Sequence, residues 1–128
     1  MIEIGHILRF VPPILAGGQV NNKIRYMLVV DKHNSDNTLE LVNISSIKDV
    51  SILTYKSNFP IFVRHPLPRP SFAKLGSYYI LENFAELEKH KLSDKLNHTD
   101  VSNIIKARTS ISNKEQITIS KTDFMTCN

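Results

Sequence analysis

The sequence predicts an α+β domain: a compact, curved antiparallel sheet or small SH3-like barrel with late helices packed on it. Three observations carry that expectation. Apolar residues gather in short β-rich runs, such as Tyr26-Met27-Leu28-Val29-Val30 and Tyr78-Tyr79-Ile80-Leu81, separated by Pro, Gly and Asn clusters. Clear helical spacing is confined to the stretch from Thr99 to Arg108. A chain of 128 residues suits one domain with a core of its own.

Taken in order, Ile2 to Phe10 reads as the first strand, with Ile4, Ile7 and Leu8 among polar positions. Pro12-Pro13 and Gly17-Gly18 break it and bound an irregular loop to about Asn22. Arg25 to Val30 has the character of a buried strand, and Asn34-Ser35-Asp36-Asn37 is a turn cluster. Leu39 to Ile44 returns as the hairpin partner, and Ser45-Ser46-Ile47-Lys48 ends it. Ile61 to Arg64 reads as a further short strand. Pro66, Pro68 and Pro70 exclude regular structure after it, since each fixes φ and lacks an N–H. Pro66 to Pro70 is therefore a rigid loop between strands, with a polyproline ligand as the other reading. Ser77 to Leu81 is a strand, and Phe84 to Lys89 begins a short helix. Thr99 or Asp100 caps a helix to about Arg108 whose Val101, Ile104 and Ile105 share one face. Gln116 to Ile119 adds an edge strand. Residues 1–120 form a single domain and 121–128 a flexible tail.

The lone cysteine, Cys127, cannot form an internal disulfide, so nothing points to secretion. The start lacks a basic segment followed by a long apolar run, and no stretch has the length of a membrane span. The expected location is the cytoplasm, with no membrane partner. The net charge is +4 and the pI near 9.3. The excess is concentrated: Val50 to Leu81 contains no acid and carries Lys56, Arg64, His65, Arg69 and Lys74. Such a stretch suits a polyanion such as RNA, or is a solvated loop that lacks acids by chance.

Three kinds of chemistry are excluded by what is missing. There is no GxxxxGK[ST] phosphate loop. There is no CxxC, HExxH or clustered acid set, so no metal and no cofactor are expected. There is no Ser-His-Asp order with a nucleophile elbow. What remains is a set of basic and hydroxyl residues near strand ends. RNA can be cleaved without a protein nucleophile, because its own 2′-OH attacks the adjacent phosphorus. The protein then has to position the phosphate and stabilise the added negative charge.

Ser45-Ser46-Ile47-Lys48 meets that need, since residues two apart on an extended chain point the same way and Ser46 and Lys48 can hold one phosphate. A solvated strand end is the bland alternative. Lys23 and Arg25 can share a groove by the same logic, or are two solvated bases at a strand start. His65, between Arg64 and the proline-rich loop, is either an acid–base group or an exposed loop residue. Tyr26 reads as packing; with Tyr78, Tyr79 and Phe62 it is also a candidate for stacking on bases. Arg64, His65, Arg69, Lys74 and Tyr26 are the candidates for an RNA-binding groove.

The ordered set of pieces resembles the MazF/Kid-like ribonuclease toxin superfamily over roughly residues 2 to 112. The pieces are an early Gly5, a basic loop entering Lys23-Ile24-Arg25-Tyr26-Met27-Leu28-Val29-Val30, and a next strand ending in Ile44-Ser45-Ser46. Ser77-Tyr78-Tyr79-Ile80-Leu81-Glu82 then precedes a last helix at Asp100 to Arg108. In the MazF branch an Arg at the start of the second strand, usually followed by Pro, is catalytic; Arg25 holds that place with Tyr26 instead of Pro. In the type III branch, ToxN/CptN-like, a Lys precedes the strand and a hydroxyl-hydroxyl-x-Lys run ends the next. Lys23 and Ser45-Ser46-Ile47-Lys48 are similar to both features. The resemblance implies a phage-defence toxin: a metal-independent endoribonuclease with Lys48, Ser46, Ser45, Lys23 and Arg25 in its catalytic site. It also implies restraint by a repetitive small RNA antitoxin that the toxin processes, in a closed toxin–RNA assembly. The competing expectations are a MazF-type enzyme restrained by a small protein antitoxin, and a non-catalytic RNA-binding module.

Overall fold

The computed structural model describes residues 1–128. Its main sheet has the spatial order β1 (Ile7–Phe10), β4 (Arg25–His33), β5 (Thr38–Ser46), β7 (Ser71–Glu82), β6 (Asn58–Pro60), with a small ribbon of β2 (Ile14–Leu15) and β3 (Gln19–Val20) between β1 and β4 in the chain. A final strand, β8 (Glu115–Ile119), runs parallel to β7; every other pairing is antiparallel. Two helices follow late, α1 (His98–Arg108) and α2 (Lys121–Cys127). The class is α+β as the sequence predicts. The sheet does not close into a barrel: β1 is one edge, and β6 and β8 share the other.

The sheet is buried on both faces. Under α2 lie Leu8, Phe10, Met27, Val29, Leu39, Leu41, Tyr79 and Leu81. Under α1 lie Ile7, Leu28, Val30, Val42, Ile44, Ala73 and Leu75. Along β4 the two sets alternate, as a pleated strand requires. Along β7 the alternation inverts: Ala73 and Leu75 serve one face, Tyr79 and Leu81 the other. The cause lies in the ladder, where Leu41 pairs with Tyr79 but Asn43 pairs with Lys74. The odd number of extra residues in β7 swaps its faces there and bends the sheet. β6 pairs with Lys74, Ala73 and Phe72, and β8 takes the same edge from Ser77 to Leu81.

Several elements differ from the sequence prediction. The first strand starts at Ile7 because Gly5, at φ +98°, turns the chain ahead of it. Ile61 to Arg64 is not a strand. Ile61 N–H donates to Ser71 O, but the next two N–H groups, of Phe62 and Val63, turn to the carboxylate of Asp100. Asp100 therefore anchors a loop, and Asn97 is the cap of α1, accepting from the N–H groups of Thr99 and Asp100. β7 begins at Ser71, well before the predicted Ser77.

The stretch from Lys121, expected as a flexible tail, is α2. The Ser120 hydroxyl accepts from Asp123 N–H at 3.1 Å, and Phe124 is fully buried. Its ring packs on Phe10, Phe84 and His90 at centroid distances of 4.9, 5.3 and 5.0 Å. Asn128 then exchanges hydrogen bonds with both backbone groups of Val11. A seven-residue helix with one apolar anchor is too short to show a period in sequence. No helix is long and apolar enough to cross a membrane.

Candidate functional site: a basic cleft at the end of the sheet

The strands β4, β5 and β7 end together in a cleft of about 670 Å³. Beyond the core, apolar positions give way to polar ones on these three strands, so the sheet ends in side chains that can meet a ligand. β4 contributes Arg25 and Tyr26. β5 contributes Ser45 and Ser46, Lys48 follows it, and β7 contributes Lys74 with Arg69 just before it. Seven of the ten site residues proposed from sequence therefore line one cleft: Arg25, Tyr26, Ser45, Ser46, Lys48, Arg69 and Lys74. Register explains the convergence. Ser45 pairs with Phe72, Ser46 with Ser71, and Asn43 with Lys74, while Tyr26 pairs with Ile44 across the other ladder.

The charge balance of the cleft is one-sided. Arg25, Lys48, Arg69 and Lys74 face a single carboxylate, Asp49. None of the four cations takes part in an ion pair. Asp49 accepts from Ser51 N–H at 3.0 Å at the head of a short 3-10 turn, Val50–Thr54. Its hydrogen bonds with the backbone and side chain of Ser51 hold it below the ordinary carboxylate range. Lys74 is pulled below the ordinary lysine value by partial burial and then by the charge of Arg25. Arg25 Nε is buried without a partner, and the guanidinium's Nη2 reaches only Asn21 Oδ1, at 3.4 Å. Asn43 Oδ1, on the strand between Arg25 and Lys74, is also buried and unpartnered. A buried unpaired donor beside unpaired cations is the pattern of a site that receives an anion.

Lys23 lies outside this cleft, in a smaller adjoining hollow that it shares with Arg25 and the β2–β3 ribbon. Asn21 clamps that ribbon by donating to Pro12 O at 2.8 Å and Lys23 O at 2.7 Å. Arg64 and His65 do not reach the cleft. They lie on the loop before β7, where His65 Nε2 is 2.8 Å from Asp94 Oδ2. The stacking candidates divide. Tyr79 is buried in the core, Tyr78 donates its OH to Gln116 and carries the guanidinium of Arg108 on its ring, and Phe62 is exposed but away from the cleft. Tyr26 alone lines it.

Sequence reading missed Asp49, Ser71 and Phe72, which also line the cleft. Ser71 follows the prolines directly, so no local pattern marks it as a strand residue. At the opposite end of the same hairpin, Asp31, His33 and Glu40 bring ligand-type atoms within 4.8 Å of one another. Glu40 already bonds His33 and Arg108, which makes the cluster an ion-pair network.

A scan against protein-family models finds no match to this chain, and a search of curated proteins finds none either.

Proposed function

We propose that this chain is a metal-independent endoribonuclease toxin of the MazF-like type, acting on single-stranded RNA and leaving a 2′,3′-cyclic phosphate. The observation that carries the reading is the gathering of Arg25, Lys48, Arg69 and Lys74 beside Ser45 and Ser46 in one cleft with one committed carboxylate. In transesterification the 2′-oxygen of the RNA attacks its own phosphorus, and negative charge builds on the phosphoryl oxygens. Fixed cations and hydroxyls stabilise that charge, so the protein supplies no nucleophile and no cofactor. Lys48 and Ser46 hold one phosphoryl oxygen, Arg25 the other, and Ser45 steadies the site beside them. Arg69 holds the flanking backbone, and Tyr26 offers a face to a base. Lys23 extends the basic track along the adjoining hollow.

The partner that restrains such an enzyme is, on this reading, a repetitive small RNA that the toxin also processes, as the Lys23 and Ser45-Ser46-Ile47-Lys48 resemblance implies. A cleft built to hold one RNA backbone suits an RNA inhibitor in a closed assembly. A small protein antitoxin filling the same cleft is the competing partner, and a tandem-repeat RNA gene beside the toxin gene separates the two. The test of the activity is incubation of the chain with a long single-stranded RNA in chelator. Discrete products with cyclic phosphate ends are expected. Binding without cleavage of any RNA, repeat-containing precursors included, leaves only an RNA-binding module.

A further inference from the structure

On the basis of the ribonuclease reading, we propose that Lys74 is the proton donor to the leaving 5′-oxygen, set in the cleft lining by β7 beside Arg25. As the 2′-oxygen bonds to phosphorus, the P–O5′ bond breaks. The departing alkoxide is strongly basic, so the reaction needs a positioned acid. No histidine lines the cleft. Guanidiniums and serine hydroxyls hold their protons too tightly to serve, so the lining groups with a transferable proton are Tyr26, Lys48, Asp49 and Lys74.

Three of the four are poorly suited. Asp49 is ionised, held so by its bonds to Ser51, and has no proton to give. Tyr26 packs its ring against the core under α1. Lys48 follows the end of β5, outside any strand ladder, and holds a phosphoryl oxygen on the reading above. Lys74 is held within the ladder, with Asn43 of β5 on one side and Asn58 of β6 on the other. No carboxylate pairs with it. The ionisable groups around it are Arg25 and Tyr26 from β4, Lys48 and Asp49 after β5, and Arg69 before β7, while β6 offers only Asn58, Phe59 and Pro60. Desolvation in the cleft, and then the charge of Arg25, make its ammonium more acidic than an ordinary lysine's, which favours it as a donor.

The balance of the step is simple. The 2′-O–P bond forms and the P–O5′ bond breaks. Lys74 Nζ passes one proton to O5′ and becomes a neutral amine, while the 2′-hydroxyl proton goes to water. Solvent then reprotonates the amine. The products are a cyclic phosphate end and a 5′-hydroxyl end.

The test compares wild type, Lys74→Met and Lys74→Arg in chelator, on an RNA whose cleavage site has been mapped with wild type. One substrate carries the ordinary linkage and the other a 5′-bridging sulfur, a thiolate leaving group that needs no proton. Both variants are expected to lose at least about 100-fold on the oxygen linkage, within the range of general acid catalysis, and to cleave the sulfur linkage within a few-fold of wild type. Lys74→Arg keeps the charge, so its loss separates proton transfer from phosphate binding. Recovery on sulfur also shows that a variant is folded. Near wild-type rates on oxygen, or equal losses on both linkages by variants with wild-type circular dichroism, overturn the assignment of Lys74 and leave the ribonuclease reading intact. Failure of wild type to cleave either linkage overturns both.

Discussion

Arg25 on β4 and Lys74 on β7 meet in one cleft from either side of β5, and no acidic side chain pairs with either. Their like charges repel: after desolvation, Arg25 is what draws the Lys74 ammonium below its ordinary value. On the proposed reading, an RNA backbone lying between them offsets that repulsion.

Salt dependence of RNA binding therefore distinguishes cleft cations from other surface bases. Each phosphate contact on a single strand contributes a slope of about 0.7 in log K against log salt. Arg69→Ala is expected to reduce the slope by about that amount. Arg64→Ala, outside the cleft, is expected to leave it unchanged. Fluorescence anisotropy across a salt series measures both.

Asp100 is expected to matter more for the loop than for its own helix. Its buried carboxylate accepts from Phe62 N–H at 3.1 Å and Val63 N–H at 2.8 Å. Asp100→Ala strands those two donors, at a cost of about 2–4 kcal/mol in urea unfolding. The same loop leads to Arg69, so KM for RNA is expected to rise with little change in kcat. Asp100→Asn, which keeps one acceptor, is expected to recover part of both.

Phe124→Ala tests the placement of α2. Removing a fully buried phenyl ring that contacts Phe10, Phe84 and His90 is expected to cost about 3–5 kcal/mol in urea unfolding. A change below about 1 kcal/mol, the range of surface substitutions, would contradict the docked helix.

The His33–Glu40 pair gives a pH signature. The hydrogen bond to Glu40 raises His33 above its ordinary 6.5 despite some desolvation. Burial works to raise Glu40, but its bonds to His33 and Arg108 prevail and lower it. A raised histidine stabilises fully below its unfolded value and loses the effect as pH climbs through its folded value. A lowered carboxylate stabilises above its unfolded value and loses the effect in acid. The stability difference between wild type and His33→Gln is therefore expected to be larger at pH 5.5 than at pH 8.5, in urea unfolding at the two values.

Local pattern made much of the sheet legible. Arg25 to Val30 and Leu39 to Ile44 are dense in β-branched and large apolar residues, and both lie within observed strands. The cleft was partly legible because strand ends have a fixed register: once β4 and β5 pair, Arg25, Ser45 and Ser46 are neighbours. What local pattern concealed depended on distant partners. Ile61 to Arg64 has strand composition, yet its backbone goes to Asp100, 37 to 38 positions away. Ser71 to Lys74 follows three prolines and becomes a central strand only because β5 and β6 both pair with it. Lys74 was therefore visible as a base in an acid-free stretch, but not as the neighbour of Arg25. His65 and Arg64 share that stretch and fall outside the cleft, because charge along a chain does not specify which face the loop presents.

The most direct test of the central claim is single-turnover cleavage of a mapped single-stranded RNA by wild type and Lys48→Ala, in chelator. A cation that stabilises the developing phosphoryl charge accounts for about 10²–10³ in rate. The cleft reading predicts that loss, with cyclic phosphate ends on the wild-type products and RNA still bound by the variant. Equal rates for the two proteins, or binding by wild type with no cleavage, would contradict it.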